Sequence, residues 1–106
     1  MIITTTGQIT GKTISKNLGL VKGNTIRAKH IGKDIIAGLR TLVGGEIKEY
    51  TSMMKDSREQ AIQRMVEEAK GLGADAIIEV RFTTSLVMSG ASEFLAYGTA
   101  VKLSSE

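Results

Sequence analysis

The sequence predicts an α/β fold in which a long amphipathic helix lies over β-strands. Two patterns and one absence carry that prediction. From Ala61 to Leu72 the apolar residues recur at three- and four-residue steps, whereas Ala76–Phe82 and Glu93–Leu103 alternate with a period of two. Proline is absent and twelve glycines punctuate the chain, as expected of regular elements joined by glycine turns.

Ile2-Ile3-Thr4-Thr5-Thr6 is β-branched throughout and reads as a short strand stopped by Gly7. Gly7–Thr13 approaches a phosphate loop, but only Gln8, Ile9 and Thr10 separate its glycines where the P-loop pattern has four residues. Ile14–Gly19 also lacks the helical stripe that such a loop should open. A turn carrying a surface Lys12 is the better reading. Leu20–His30 predicts a strand bent at Gly23-Asn24, with Ile26, Ala28 and His30 on one face and Thr25, Arg27 and Lys29 on the other. Ile35, Ile36, Leu39, Leu42 and Val43 predict a helix over 33–43, with Asp34 near its positive end and Gly44-Gly45 as its stop. Glu46–Tyr50 is a polar link.

A second helix follows, with two candidate starts: Thr51 or Ser52 as a cap, or a capping box at Ser57–Gln60. Gly71 and Gly73 bracket its end. Ala76, Ile78, Val80 and Phe82 then share one strand face, expected to lie under the helix. After a turn at 89–92 comes the last strand, with Leu95, Tyr97, Thr99, Val101 and Leu103 on one side and Phe94, Ala96, Gly98 and Ala100 on the other. Both faces are apolar, so both need covering.

At 106 residues the chain is expected to form one domain. Without cysteine it can make no disulfide, thiolate nucleophile or soft sulfur metal site. No apolar run approaches the roughly 20 residues of a membrane span, and Met1–Thr4 shows no signal peptide, so a soluble cytoplasmic protein is expected. Charge is unevenly spread. Residues 1–48 carry eight Lys/Arg against Asp34 and Glu46, a net +6; residues 49–106 carry six against nine acids, a net −3. Such halves could meet in neighbouring subunits, or the basic one could meet nucleic acid.

Thr4-Thr5-Thr6, Leu18–Gly23, Gly44-Gly45, Tyr50, Glu67–Ile77 and Gly98–Val101 form a series of islands along the whole chain. In this order the chain resembles the YbjQ-like family, small bacterial and archaeal proteins catalogued as heavy-metal-binding. The resemblance implies a two-layer α/β (α+β) fold related to the dodecin subunit. That fold is a β-α-β-β core with an antiparallel sheet, here with a short N-terminal strand and an extra helix. It also implies a ring-shaped homo-oligomer, a pentamer. Family members carry a small Arg-Ser-Gly-like run after the paired glycines; here Glu46-Ile47-Lys48-Glu49 reverses the local charge.

With no cysteine and only His30, heavy-metal ligation falls to carboxylates. Glu67 and Glu68 would point about 100° apart on a helix. Glu46 and Glu49, gathered from several subunits around a ring axis, are the candidate ligands for a divalent ion such as magnesium, calcium or manganese. A solvated acidic loop is the blander alternative. Lys22, Arg27 and Lys29 could contact RNA phosphates. Yet four aromatics, Tyr50, Phe82, Phe94 and Tyr97, make no stacking platform, so nucleic acid is disfavoured. No nucleophile–base pair can be placed, and an enzyme is the least favoured class. The expectation is a homo-oligomer holding a small ligand or ion between subunits.

Overall fold

The computed structural model describes residues 1–28, 48–88 and 90–105. The helix expected over 33–43, together with Lys29, His30, Gly44-Gly45 and Glu46, lies outside the described residues. The elements run β1 (Ile2–Ile3), β2 (Lys12–Ala28), α1 (Lys48–Gly71), β3 (Ala76–Met88) and β4 (Ala91–Ser105). One sheet has the order β1-β3-β4-β2. β4 is antiparallel to β2 and β3, and β1 is parallel to β3. The β-α-β-β core and antiparallel sheet are therefore present, with α1 laid on one face.

Strand β2 begins at Lys12, eight residues before the expected Leu20. Lys12–Gly19 lacks clean alternation because two irregularities interrupt it, between Ile14 and Lys16 and between Asn17 and Gly19, where Gly19 has φ 109°. Beyond them the strand pairs without a break to Ala28, so the expected bend at Gly23-Asn24 does not occur. Gly23 serves packing instead. A Cβ there would strike the α1 backbone at Ala61 and Met65. The helix thus rests on the strand backbone itself, and a small residue is required at the crossing.

Helix α1 starts at Lys48, ahead of both expected caps. Ser57 is not a cap: it is fully buried, and its hydroxyl donates to the Met53 carbonyl at 2.8 Å. Ser57, Ala61, Met65 and Ala69, each four residues apart, form the stripe facing the sheet. The helix ends as its glycines predict. Gly73 takes φ 77°, its N–H donates to Lys70 O at 3.0 Å, and the Ala74 N–H donates to Ala69 O at 3.0 Å, the paired bonds of a Schellman stop.

One expectation about β3 is overturned. Ala76, Ile78, Val80 and Phe82 do not share a face, because a bulge between Ile78 and Arg81 inverts the alternation. At its centre Glu79 has φ 56°. Ile77 and Val80 therefore join the core under α1, with Val21, Met65, Phe94, Ala96 and Ala100. Ala76 and Ile78 pack on the far face with Val101. β4 keeps the alternation expected of it, with Phe94, Ala96, Gly98 and Ala100 turned to the helix side.

Gly23→Ala should lower stability by about 3 kcal/mol, since the added methyl meets backbone that cannot rotate away. Urea unfolding at fixed chain concentration checks this; an unchanged midpoint would contradict the close helix–strand contact.

Candidate functional site

Between β1 and β2 the chain loops out through Gly7–Ile14 and walls a cavity of about 500 Å³. Its shape is set locally. The Thr6 hydroxyl donates to Gln8 O at 2.6 Å, and the Lys12 N–H donates to Ile9 O at 3.1 Å, with Gly11 at φ 80° completing the turn. Ile9 and Ile14 pack onto Ala76, Ile78 and Val101, so the loop covers one end of the sheet face opposite α1. Lys12 is exposed and opens a strand, not a helix, which removes the phosphate-loop geometry. What remains is a recess lined by Gln8, Thr10 and loop backbone, able to hydrogen-bond a small polar molecule. The near-miss motif marked the loop; nothing in the sequence marked the cavity.

Among the described residues the carboxylates do not converge. Asp75 Oδ2 accepts the Leu103 N–H at 2.9 Å, tying the end of β4 to the start of β3. Glu79 lies 3.8 Å from the Arg81 guanidinium with both side chains half exposed, and Glu93 accepts from Asn24 Nδ2 at 3.2 Å. Glu67 and Glu68 are exposed on α1. Among the described residues no three His, Asp or Glu side chains come together to hold a metal. These residues therefore do not fit a heavy-metal site. Of the two sequence candidates, Glu46 lies outside the described residues, and Glu49 is placed in the first turn of α1 by its backbone alone.

A second polar cluster sits where β2 meets α1. Arg64 donates to the Asn24 carbonyl at 2.6 Å, and Arg27 donates to Gln60 Oε1 at 3.3 Å. Beside them Thr25 is buried, and its hydroxyl and the Arg27 Nε have no hydrogen-bond partner among the described residues. The expected basic strip is split. Lys22 pairs with Tyr97 on the open face, whereas Arg27 turns to the helix side, because residues an odd number apart in an unbroken strand face opposite ways.

The model of a family described as "Putative heavy-metal-binding" matches residues 1–104. A relative from Methanosarcina acetivorans is 61% identical over 103 residues, covering 97% of each chain. One from Dehalococcoides mccartyi is 67% identical over 101 residues, covering 95% of this chain and 97% of its own. Both are titled UPF0145 protein. A solved structure from Pediococcus pentosaceus, titled a protein with unknown function of the DUF74 family, matches with a TM-score of 0.65. It covers 98% of both chains at 23% identity, and so speaks to the fold.

Thr25→Val removes a buried, unpartnered hydroxyl while keeping its shape, and should raise stability by about 1 kcal/mol. A fall in the urea midpoint would mean that the hydroxyl has a partner.

Proposed function

The chain belongs to the YbjQ-like family, whose printed description is "Putative heavy-metal-binding" and whose relatives carry titles without an activity, and on that premise we propose a non-enzymatic assembly protein. The assembly is a homo-oligomeric ring, a pentamer, in the cytoplasm, and it holds a small ligand or ion between subunits. No helix among the described residues is long and apolar enough to cross a membrane.

The observation that supports this reading is the bare sheet surface of the protomer. Every residue of β3 from Arg81 to Met88 is exposed, including Phe82 at 50%, Leu86 at 76% and Met88 at 67%. On β2, Leu20 at 63% and Ile26 at 58% are equally bare on the opposite face. The far side of β4 is covered by the Gly7–Ile14 loop only near Val101 and Leu103, leaving Tyr97 exposed. Isolated apolar side chains are ordinary on a surface, but a contiguous run along a sheet edge marks an interaction site.

Light scattering at micromolar concentration should give a mass several times that of the 11.3 kDa protomer, and a clean monomer would remove the ring. The family's description supports a second reading, divalent-metal binding through Glu46 and Glu49 brought together by the ring. Calorimetry against a panel of divalent ions should show binding that Glu46→Ala combined with Glu49→Ala weakens at least roughly tenfold, the scale of a lost ligand pair. Absent heat, or an affinity indifferent to both substitutions, would count against it.

A further inference from the structure

The ring reading leaves the Gly7–Thr13 loop unused, yet the chemistry gathered there is one-sided. Five residues in a row, Gly7–Gly11, donate no backbone N–H to a protein acceptor. On either side the N–H groups are taken: that of Thr6 meets Thr4 Oγ1 at 3.2 Å, and that of Lys12 meets Ile9 O at 3.1 Å. Successive free N–H groups in a turn make a concavity suited to an anion. The same five residues wall the cavity of about 500 Å³, and Lys12 is the one charged side chain lining it. Its ammonium has no ion-pair partner among the described residues. The Gln8 amide and the Thr10 hydroxyl, both exposed, are uncommitted as well.

The charge around the loop has the same sign. Lys16 and Lys102 stand directly opposite each other across β2 and β4, both exposed and neither paired with a carboxylate among the described residues. Like charges in that register destabilise a sheet, and an anion at this end of it would offset the cost. Two carboxylates border the region, and both are engaged. Asp75 accepts the Leu103 N–H at 2.9 Å, while Glu79, whose Oε1 lies against Gly7, sits 3.8 Å from the Arg81 guanidinium. Glu79 thus disfavours an anion at the Gly7 end of the recess and leaves the Thr10–Lys12 end for it.

We propose that the Gly7–Thr13 loop binds a phosphate group, free or carried by a small molecule, on its unpaired N–H groups and Lys12. The site belongs to the single protomer and does not depend on the ring. Phosphate fits the donors better than carboxylate does. A point charge with many single donors suits a tetrahedral group with several acceptor oxygens, whereas a planar carboxylate is matched by the fork of an arginine, and no arginine lines the loop. The cavity is large enough to hold more than the phosphate, with Ile9 and Ile14 beside it as apolar wall. A nucleoside triphosphate is a poor fit, because strand β2 follows the loop and brings no helix N-terminus to the phosphates.

The turn itself supplies a clean variant. Gly11 at φ 80° and the Lys12 N–H on Ile9 O give the turn Ile9–Lys12 its type II form, in which proline is favoured at the position of Thr10. Thr10→Pro therefore keeps the turn and deletes one N–H. The full-length protein is titrated with inorganic phosphate and with glycerol phosphate at constant ionic strength, read by calorimetry and by amide NMR shifts. The expected result is saturable binding with shifts concentrated in Gly7–Lys12. Lys12→Gln should weaken it about tenfold or more, the scale of a lost charged hydrogen bond. Thr10→Pro should weaken it too, and Lys12→Arg, which keeps the charge, should retain it. Tighter binding of glycerol phosphate would identify an ester as the ligand and tighter inorganic phosphate the free anion; either result upholds the site. No saturable binding of either probe would overturn the proposal. So would equal losses in Lys12→Gln and Lys16→Gln, the mark of diffuse charge attraction alone. Light scattering on the same samples reads the ring separately, so either idea can fail without the other.

Discussion

The seating of α1 on the backbone of β2 governs the rest of the molecule. At Gly23 there is no room for a side chain, and on the helix the facing residues are Ala61 and Met65. Close approach of this kind fixes both the height and the lateral position of a helix, since interiors tolerate little slack. It draws α1 over β2 and β4, and among the described residues no element covers the helix side of β3 beyond Val80. Ala96, Gly98 and Ala100 extend the low surface into β4, where Gly98 is itself hemmed in by Ile77 and Val80. The small residues that let the helix settle thus seat it over β2 and β4 rather than β3.

The remaining face is covered by a different device. The N-terminal segment hydrogen-bonds along β3 as far as Val80 and then crosses beneath the sheet, dropping Ile9 and Ile14 onto Ala76, Ile78 and Val101. The Glu79 bulge divides the two clusters, since without it Val80 would face the same side as Ala76 and Ile78 and the core under α1 would lose it. A non-glycine residue at positive φ costs of order 1 kcal/mol. Burial of the inverted Val80 under α1 more than offsets that strain, at roughly 1.5–3 kcal/mol for a fully buried side chain of this size.

Much of this fold was legible in the sequence, and the failures have physical reasons. The stripe Ala61, Met65, Ala69 and the glycine stop behind it are local signals with a fixed period, and they survive folding intact. So does the two-residue alternation of β4, which lies between two partners and is not interrupted. The bulge escaped notice because Ala76–Phe82 alternates cleanly on paper, and one residue at positive φ reverses the pattern without changing composition. The first half of β2 was hidden by the same effect twice over. Lys22 and Arg27 were grouped by proximity, although their odd separation places them on opposite faces, and an RNA-contacting strip loses its continuity with them. The loop cavity arises from the way Gly7–Ile14 folds back on itself, which no residue pattern announces. Glu46 and Glu49 could complete a metal site only with several copies of the chain together.

A protomer with a charged border strand, β2, and an uncharged run, Phe82–Met88, on its other border is not symmetric in its needs. Two smooth edges could satisfy each other in a two-fold pair and stop there. One smooth edge meeting a different edge leaves a second smooth edge behind, so the contact repeats until the accumulated rotation returns to the first copy. The right-handed twist between strands supplies that rotation, and a twist that failed to close would give an open filament instead. The uncharged run from Phe82 to Met88 is an aggregation hazard in an isolated protomer, one that the proposed assembly would have to cover. In the proposed assembly, covering that edge and joining the copies would be a single event, and a pocket shared between subunits would form in the same step.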